Sequence, residues 1–313
     1  MSTVCATVHV PASTSNIGSG FDCIGMAVDR WLTASVVIDP KSEAIVITRG
    51  GSLQSLTFPA VDDLIHEGFA AACTRAGRVV PAGIAYIVTS SIPVARGLGS
   101  SAAALVAGAA LADAALGLGL GQHGVATLVS QIEGHPDNAS PAVFGGAMLG
   151  VANDDATATS PCTYAFSPLP VHDSLAFIFA VPPIEVTTAA ARAVLPKSVS
   201  FGDAICALQR CAALTHGLAT GDDALLRRAL DDVLHVPYRR SLVPGYDAVV
   251  AQAIGAQAFG ATLSGSGSSM VAIGRRANSA GIAAAMRDAF AGAGLAAETL
   301  ETAGTVGGLR MDG

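Results

Sequence analysis

The chain has 313 residues, of which 13% are charged and 51% are hydrophobic, and its formal net charge is -7. Two modest domains can bury their cores at this length. A negative chain without a run of Lys or Arg argues against nucleic acid or a membrane as the partner and favours a small ligand. No basic segment precedes an apolar one near the start, and the six cysteines form no C-x-x-C pair. We therefore expect a cytoplasmic protein without a zinc site or a disulfide framework.

The first half of the chain mixes β-type and α-type periodicity without a regular β-α-β alternation. Apolar and β-branched runs predict strands, the first three of them in an antiparallel sheet, over residues 4–10, 34–38, 44–48 and 83–89. Helical spacing of apolar residues predicts helices over residues 64–76, 102–116 and 124–132. The N-terminal part is thus expected to be a mixed α and β domain.

A polar segment over residues 153–161 predicts the connection between two domains, which we expect to cover residues 1–155 and 156–313. Beyond it, strands and helices succeed one another in a way that fits a small α+β layer. The predicted strands cover residues 174–181, 261–263 and 270–273. The predicted helices cover residues 201–219, 222–233, 246–253 and 279–291, the last with Ser279 as N-cap.

A glycine-rich loop, Gly97-Leu98-Gly99-Ser100-Ser101, precedes the long alanine-rich helix. Glycines let the backbone approach an anion, and Ser100 or Ser101 can cap a helix whose N-terminus carries about +0.5 elementary charge. The loop contains no lysine, which excludes a Walker-type phosphate site. Phosphate charge would then be met by the helix terminus, a metal ion and Arg96. From the two glycines alone, an ordinary turn remains an alternative.

The wider run from Pro93 to Ala103 reads P-x-x-x-G-L-G-S-S-A-A and resembles the nucleotide loop of the GHMP kinases. The resemblance implies a two-domain α+β fold, with a mixed α/β ATP-binding domain followed by a ferredoxin-like α+β domain. It implies that Ser101, or else Ser100, and Glu133 hold an Mg²⁺ ion that bridges the β- and γ-phosphates. The residues that it implies for ATP are Pro93, Arg96, Gly97, Leu98, Gly99, Ser100, Ser101 and Ala102.

Further segments resemble one branch of that superfamily, the homoserine kinases. Residues 10–25 are similar to P-A-T-S-A-N-L-G-P-G-F-D-C-L-G, with Ser19 where proline is usual. The other similar segments are residues 133–142 (E-G-H-P-D-N-V-A-P-A), 186–192 (S-T-x-x-A-R), 237–239 (P-Y-R) and 263–269 (S-G-A-G-P-T). Together they span nearly the whole chain. The resemblance implies phosphorylation of L-homoserine in threonine biosynthesis by a homodimer.

The chemistry of L-homoserine gives four matched residues a use. Its carboxylate suits Arg192 or Arg239, because a charge-assisted hydrogen bond contributes about 1.5 to 3 kcal/mol. Its ammonium suits Asp22, with Asn16 assisting. Each of these residues alone could be a surface or turn residue. Their joint occurrence in the order of one family favours the substrate site.

The acceptor hydroxyl is expected near His135, Asn138 and Thr188, if the arrangement of the family holds. Asn138 stands where galactokinases and mevalonate kinases position an aspartate base, and asparagine cannot accept a proton at neutral pH. The resemblance therefore implies catalysis by positioning and by Mg²⁺ electrostatics, although Asp137 stays open as a base. Asp63 precedes Leu64 where the family often has Asn near the adenine, which leaves recognition of the base open.

Two other functions remain open. The first is a GHMP kinase for a sugar, mevalonate or threonine, although two arginines with one acidic residue favour an amino acid. The second is a nucleotide-binding regulator without catalysis, against which the intact Ser101, Glu133 and Asn138 argue.

Overall fold

The computed structural model describes residues 4–153 and 162–312, and these residues form two β-sheets with helices. In chain order the strands are β1 (Val4–Asn16), β2 (Gly20–Ile38), β3 (Ile45–Gly51), β4 (Ile84–Ser90), β5 (Ala147–Ala152), β6 (Tyr164–Leu169), β7 (Leu175–Val181), β8 (Ala258–Leu263), β9 (Met270–Arg275), β10 (Glu298–Thr302) and β11 (Arg310–Met311). The predicted α+β character is confirmed.

Short 3₁₀ turns at Ala60–Asp62, Arg240–Leu242 and Arg276–Asn278 accompany the α-helices. In chain order the helices are α1 (Leu64–Arg75), α2 (Ser100–Leu116), α3 (Gly121–Glu133), α4 (Ala139–Phe144), α5 (Thr188–Ala193), α6 (Phe201–Thr220), α7 (Asp223–Ala229), α8 (Val236–Arg239), α9 (Tyr246–Gly255) and α10 (Ser279–Gly292). None of these helices, within the described residues, is long and apolar enough to cross a membrane.

The first sheet has seven strands in the order β11-β1-β2-β4-β3, and β5 and β6 extend it from β2. Strand β2 pairs antiparallel with β1, β4 and β5. Strand β3 runs parallel to β4, so the expected antiparallel pairing of residues 44–48 is wrong. The reason is that α1 connects β3 to β4, and a helical crossover returns the chain in the same direction.

Helices α1 and α2 pack closely because glycines lie at their contact. A Cβ on Gly68 would lie 2.2 Å from the carbonyl oxygen of Leu105, and one on Gly108 would lie 1.9 Å from that of Ile65. The alanine-rich α2 also packs on β1 and β2, and most of its side chains are buried. This packing places the N-terminus of α2 next to the end of β1.

The second sheet has the order β10-β7-β9-β8, and all of its pairs are antiparallel. Its central strand β7 is buried throughout. Ala176, Ile178 and Ala180 pack in one core with α9 and α10, whereas Phe177 and Phe179 belong to the large core that continues into the first sheet. Because side chains of a strand alternate between its faces, β7 is covered on both sides.

The predicted domain boundary between residues 155 and 156 lies outside the described residues and stays a prediction. After the polar connection, β6 still pairs with β5, and β11 pairs with β1. Both of these strands therefore belong to the first sheet. The expected N-cap at Ser279 is wrong, because the preceding 3₁₀ turn runs into α10 and gives Ser279 a helical φ of -56°.

Candidate active site

A cavity of about 360 Å³ opens where the end of β1, the N-terminus of α2 and helices α4, α5 and α8 meet. Every residue predicted for the substrate and for catalysis lines it, namely Asn16, Asp22, His135, Asn138, Thr188, Arg192 and Arg239. The predicted ATP residues that line it are Arg96, Gly97, Gly99, Ser100 and Ser101. The side chains of Leu98 and Ala102 lie in the core instead, and Pro93 is not part of the lining.

The glycine-rich loop turns sharply into α2. Gly97 and Gly99 have φ angles of 72° and 65°, in the left-handed region that favours glycine. A Cβ on Gly97 would lie 2.1 Å from the Ser264 carbonyl oxygen. Gly99 is the N-cap and no side chain of the described residues caps the helix, so the expected cap at Ser100 or Ser101 is wrong. The left-handed turn at Gly99 has already brought both serines into the helix.

The first N–H groups of α2 stay available for a ligand. Ala103 donates the first intrahelical hydrogen bond, to the Gly99 carbonyl oxygen at 2.9 Å. The N–H groups of Ser100, Ser101 and Ala102 precede it and have no side-chain cap. Unpaired N–H groups at the positive end of a helix form an anion site.

The turn between β8 and β9 braces this loop. Ser264 donates its Oγ–H to the Gly97 carbonyl oxygen at 2.6 Å, and the Ser269 N–H donates to the Arg96 carbonyl oxygen at 3.1 Å. Thr14 at the end of β1 shares a hydrogen bond of 2.8 Å with the Ser264 hydroxyl. The cavity is therefore built from both sheets. The Arg96 side chain donates through Nη1 to the carbonyl oxygen of Pro182 at 3.0 Å.

Ser101 and Glu133, which the sequence predicts as metal ligands, are hydrogen-bonded to each other. Ser101 Oγ donates to Glu133 Oε1 at 3.1 Å. The other carboxylate oxygen, Oε2, is shut off from solvent and has no partner among the described residues. Desolvation raises the pKa of Glu133 from 4.5 to about 7. A hydroxyl and a carboxylate with a free buried oxygen fit a hard cation such as Mg²⁺.

His135 and Asp137 form a buried pair close to Glu133. His135 Nδ1–H donates to Asp137 Oδ1 at 2.6 Å, and the two residues are 8% and 1% exposed. Desolvation lowers the pKa of His135, but the hydrogen bond and charge of Asp137 outweigh it, and the pKa is raised overall. Gly25 allows this arrangement, since a Cβ there would lie 1.6 Å from the Asp137 carbonyl oxygen.

Asn138 is held at both ends of its amide. Ser13 Oγ donates to Asn138 Oδ1 at 3.0 Å, and Asn138 Nδ2 donates to Ser15 Oγ at 3.1 Å. Both serines belong to β1. The sequence prediction did not assign them a role, although they lie within the quoted segment of residues 10–25. Their hydrogen bonds fix the orientation of the Asn138 side chain.

Asp22 and Arg192 pair with each other. Arg192 donates to the two carboxylate oxygens of Asp22 at 3.1 and 2.9 Å, and this hydrogen bonding raises the pKa of Arg192. Asn16 Oδ1 accepts from the Asp22 N–H at 3.0 Å, and Asn16 Nδ2 donates to the Gly265 carbonyl oxygen at 2.9 Å. The Asn16 side chain thus holds Asp22 in position through the backbone N–H of Asp22.

Arg239 is the most buried cation of the cavity wall. It is 3% exposed, and it has no ion-pair partner within the described residues. Its Nε donates to the Ala191 carbonyl oxygen at 3.0 Å, and its Cζ lies 5.0 Å from the centroid of the Phe21 ring. Desolvation and the charge of Arg192 lower the pKa of Arg239. An uncompensated buried charge is costly, so this guanidinium is suited to an anionic ligand.

The far end of the cavity is apolar. It is lined by Leu53, Leu56, Phe58, Leu64 and Val94. Behind this lining, Arg49 donates through Nε and Nη2 to Asp63 Oδ2 at 2.9 and 2.8 Å, and its Cζ lies 4.4 Å from the centroid of the Phe58 ring. Asp63 Oδ1 caps α1 by accepting from the Ile65 N–H at 2.9 Å. A flat aromatic base fits such a surface.

Comparisons with known proteins identify the family of the chain. Residues 63–146 match the profile of the GHMP kinases N terminal domain, and residues 214–292 match that of the GHMP kinases C terminal domain. A homoserine kinase from Picosynechococcus sp. is 36% identical over 293 residues, which cover 93% of each chain. The chain belongs to the homoserine kinase family of the GHMP kinases.

Solved structures agree with this membership. The crystal structure of homoserine kinase from Cytophaga hutchinsonii has a TM-score of 0.85 at 26% identity and covers 98% of this chain and 97% of its own. Mevalonate diphosphate decarboxylase from Staphylococcus aureus has a TM-score of 0.74 at 15% identity and covers 100% and 99%, which shows the fold alone. The predicted two-domain GHMP kinase fold is confirmed. As a member of this kinase family, the protein is an ATP-dependent kinase with an alcohol acceptor.

This member of the homoserine kinase family departs from the family pattern at Asp63. Asp63 takes the position before Leu64 where asparagine is common, and Arg49 and the Ile65 N–H occupy its two oxygens. Sequence reasoning also missed Phe21 and Arg49. Phe21 lies inside the quoted segment of residues 10–25, whereas no motif marks Arg49.

Proposed function

We propose that the protein transfers the γ-phosphoryl group of ATP to the side-chain hydroxyl of L-homoserine, which gives O-phospho-L-homoserine for threonine biosynthesis. The observation that carries this proposal is the set of charges in one cavity: a buried Arg239, which has no ion-pair partner among the described residues, beside the pair of Asp22 and Arg192. A zwitterionic amino acid needs an anion site and a cation site close together. A sugar needs neither, and mevalonate needs only the first.

ATP would place its phosphates at the N-terminus of α2, against the free N–H groups of Ser100, Ser101 and Ala102. Its base would lie among the apolar residues around Phe58 and Leu64. Ser101 and Glu133 would hold Mg²⁺. When bound, this ion supplies charge compensation for the transferred phosphoryl group.

L-Homoserine would replace the ion pair between Asp22 and Arg192 by two new ion pairs. Its ammonium takes the carboxylate of Asp22, and its carboxylate takes Arg239 together with the released Arg192. Both members of that pair are partly exposed, with side-chain exposures of 34% for Asp22 and 39% for Arg192. A partly solvated pair contributes little stability, so its exchange costs little.

The acceptor hydroxyl would lie near Asn138, His135 and Thr188. Asn138 positions it without taking its proton, because an amide is not a base. The raised pKa of His135 favours its charged form, which cannot accept a proton but helps to balance the phosphate charge. The carboxylate of Asp137 accepts a hydrogen bond from His135. These residues orient the hydroxyl and compensate charge, and the proton leaves late, to phosphate or water.

The test is ADP release by purified protein with Mg-ATP and L-homoserine, L-threonine, mevalonate or galactose as the acceptor, with the phosphorylated product identified by mass spectrometry. We expect turnover with L-homoserine at the highest kcat/KM. Turnover with mevalonate or galactose alone would contradict the charge argument, and no turnover with any acceptor would contradict phosphoryl transfer itself.

The homodimer and the cytoplasmic location also stay proposals. All six cysteines are free, which is usual for proteins in a reducing compartment. Light scattering of the purified protein measures the oligomeric state directly.

A further inference from the structure

His235 lies behind the substrate end of the cavity and is not part of its lining. It is the N-cap residue of α8, the short helix that carries Arg239, and its side chain is 0% exposed. Its ring stacks on Phe21, with centroids 4.8 Å apart and an interplanar angle of 18°. Buried histidines need partners for both ring nitrogens. Those partners show what this residue does.

The hydrogen bonds of His235 define its tautomer. Nε2 lies 3.0 Å from the carbonyl oxygen of Gly18, which can only accept, so Nε2 carries the hydrogen. In the neutral ring Nδ1 then has a lone pair, and it lies 3.4 Å from Nη1 of Arg239. The guanidinium therefore donates to His235. Burial lowers the pKa of His235, which favours this neutral form.

The surroundings hold the ring and its partners in place. Asp232 Oδ2 accepts from the N–H groups of His235 and Val236 at 2.7 and 2.8 Å, which fixes the backbone at the start of α8. Gly18 has a φ of 75°, and a Cβ there would lie 2.9 Å from the Ala229 carbonyl oxygen. The Gly18 carbonyl oxygen, which accepts the hydrogen bond from Nε2, is thus fixed as well.

A neutral acceptor suits an arginine that must bind an anion. A carboxylate in this place would pair with Arg239 and cancel its charge. His235 and the Ala191 carbonyl oxygen each accept one hydrogen bond from Arg239 and leave its charge uncancelled, because both acceptors are neutral. The Nη2 atom has no partner among the described residues, and Arg239 lines the cavity. The guanidinium is therefore oriented at Nε and Nη1 and keeps its full charge.

We propose that His235 is a positioning residue for the substrate carboxylate, because it orients Arg239 as a neutral hydrogen-bond acceptor and through the shared Phe21 ring. This inference rests on the proposed function. It assigns His235 an effect on acceptor binding through Arg239, with no contact to ATP.

The test compares His235→Gln with the wild type on two acceptors, L-homoserine and L-homoserine methyl ester, which lacks the carboxylate charge. We expect the KM for L-homoserine to rise about tenfold, which corresponds to about 1.4 kcal/mol. The KM values for ATP and for the ester should stay unchanged. His216→Gln, an exposed histidine of α6, is the matched control and should behave as the wild type.

A double-mutant cycle gives a second readout that does not depend on the ester. In an Arg239→Met background, His235→Gln should have no further effect on kcat/KM for L-homoserine, because the residue through which it acts is absent. If His235→Gln does not fold, Phe21→Leu is the second variant, because it keeps the hydrogen bond between His235 and Arg239 and removes the ring contact. It should also raise the KM for L-homoserine selectively, but by a smaller factor.

Equal rises of all three KM values, unchanged KM values, or additive effects in the cycle would overturn the proposal for His235 and leave the proposed function intact. A wild-type protein that does not phosphorylate L-homoserine would overturn both. A selective loss of L-homoserine binding together with a non-additive cycle supports the assignment.

Discussion

Replacement of Glu133 by glutamine tests the proposed metal site without an activity assay. Glu133→Gln keeps the size of the side chain and the acceptor for the Ser101 hydroxyl. It removes the carboxylate whose buried Oε2 has no partner among the described residues. In the metal-free protein this carboxylate is a source of instability whenever it is charged. We therefore expect the variant to be more stable than the wild type at high pH.

The magnitude follows from the pKa of Glu133, which desolvation raises from 4.5 to about 7. Because the folded protein binds more protons than the unfolded protein between these values, the free energy of unfolding of the wild type falls as the pH rises through this window. The rise in pKa corresponds to about 3 kcal/mol. Glu133 as a whole is only partly buried, although its Oε2 is inaccessible, and solvent therefore screens part of this cost. We expect a difference of about 1 to 3 kcal/mol above pH 7.

The assay is urea unfolding of wild type and Glu133→Gln without metal, at several pH values from 4.5 to 8. The two free energies of unfolding should coincide at the lower end and diverge in favour of the variant at the upper end. Added Mg²⁺ should stabilise the wild type and leave the variant unchanged. Glu67→Gln, at an exposed position of α1, is the matched control. Parallel stability curves for wild type and Glu133→Gln would refute the reasoning.

Three further predictions follow from the same cavity. Arg239→Met should raise the KM for L-homoserine about 100-fold, since it removes charge-assisted bonds to the carboxylate, and an equal rise in the KM for ATP in the same kinetic assay would contradict this assignment. Arg49→Met leaves the buried Asp63 without its ion-pair partner and should cost about 3 to 5 kcal/mol of stability, measured by urea unfolding. It should also raise the KM for ATP alone, and an effect on the KM for the acceptor would argue against an adenine site there. Ser13→Ala should lower kcat about tenfold with both KM values unchanged, because it frees the Asn138 amide, and a change in KM alone would show that Ser13 acts on binding.

The sequence allowed the contents of the cavity to be predicted better than the contacts inside it. All the residues predicted for the substrate and for catalysis line one cavity. They could be predicted because each lies in a segment whose residue types and order are specific. Their mutual pairing was not visible, since Asp22 and Arg192 are 170 positions apart, and Gly18 and His235 are 217 apart. Such pairs depend on how the two sheets meet, which no local pattern encodes.

Local patterns failed where the fold overrode them. Two serines after Gly99 predicted a side-chain cap, but Gly99 itself is the N-cap, with a left-handed φ of 65°, and both serines lie inside the helix. Glycine suits this position because a Cβ on Gly99 would lie 2.2 Å from Ser13 Oγ. The parallel pairing of β3 with β4 follows from the α1 crossover. The strand periodicity alone cannot distinguish the two directions.

The pairing of Asp22 with Arg192 also explains how the cavity can select an amino acid. A zwitterion replaces one opposite-charge pair by two and supplies a counter-ion for the buried Arg239, which has none within the part of the chain that the structure describes. A carboxylate without an ammonium would engage the arginines and leave Asp22 unpaired, and a sugar would leave Arg239 without an anion. An unpaired polar group in a binding site costs about 1 to 3 kcal/mol, and more when it is charged. Discrimination of this kind arises from the groups that the wrong substrate leaves unsatisfied, so a homoserine analogue that lacks only the ammonium should bind less tightly to the wild type, and Asp22→Asn should reduce that difference.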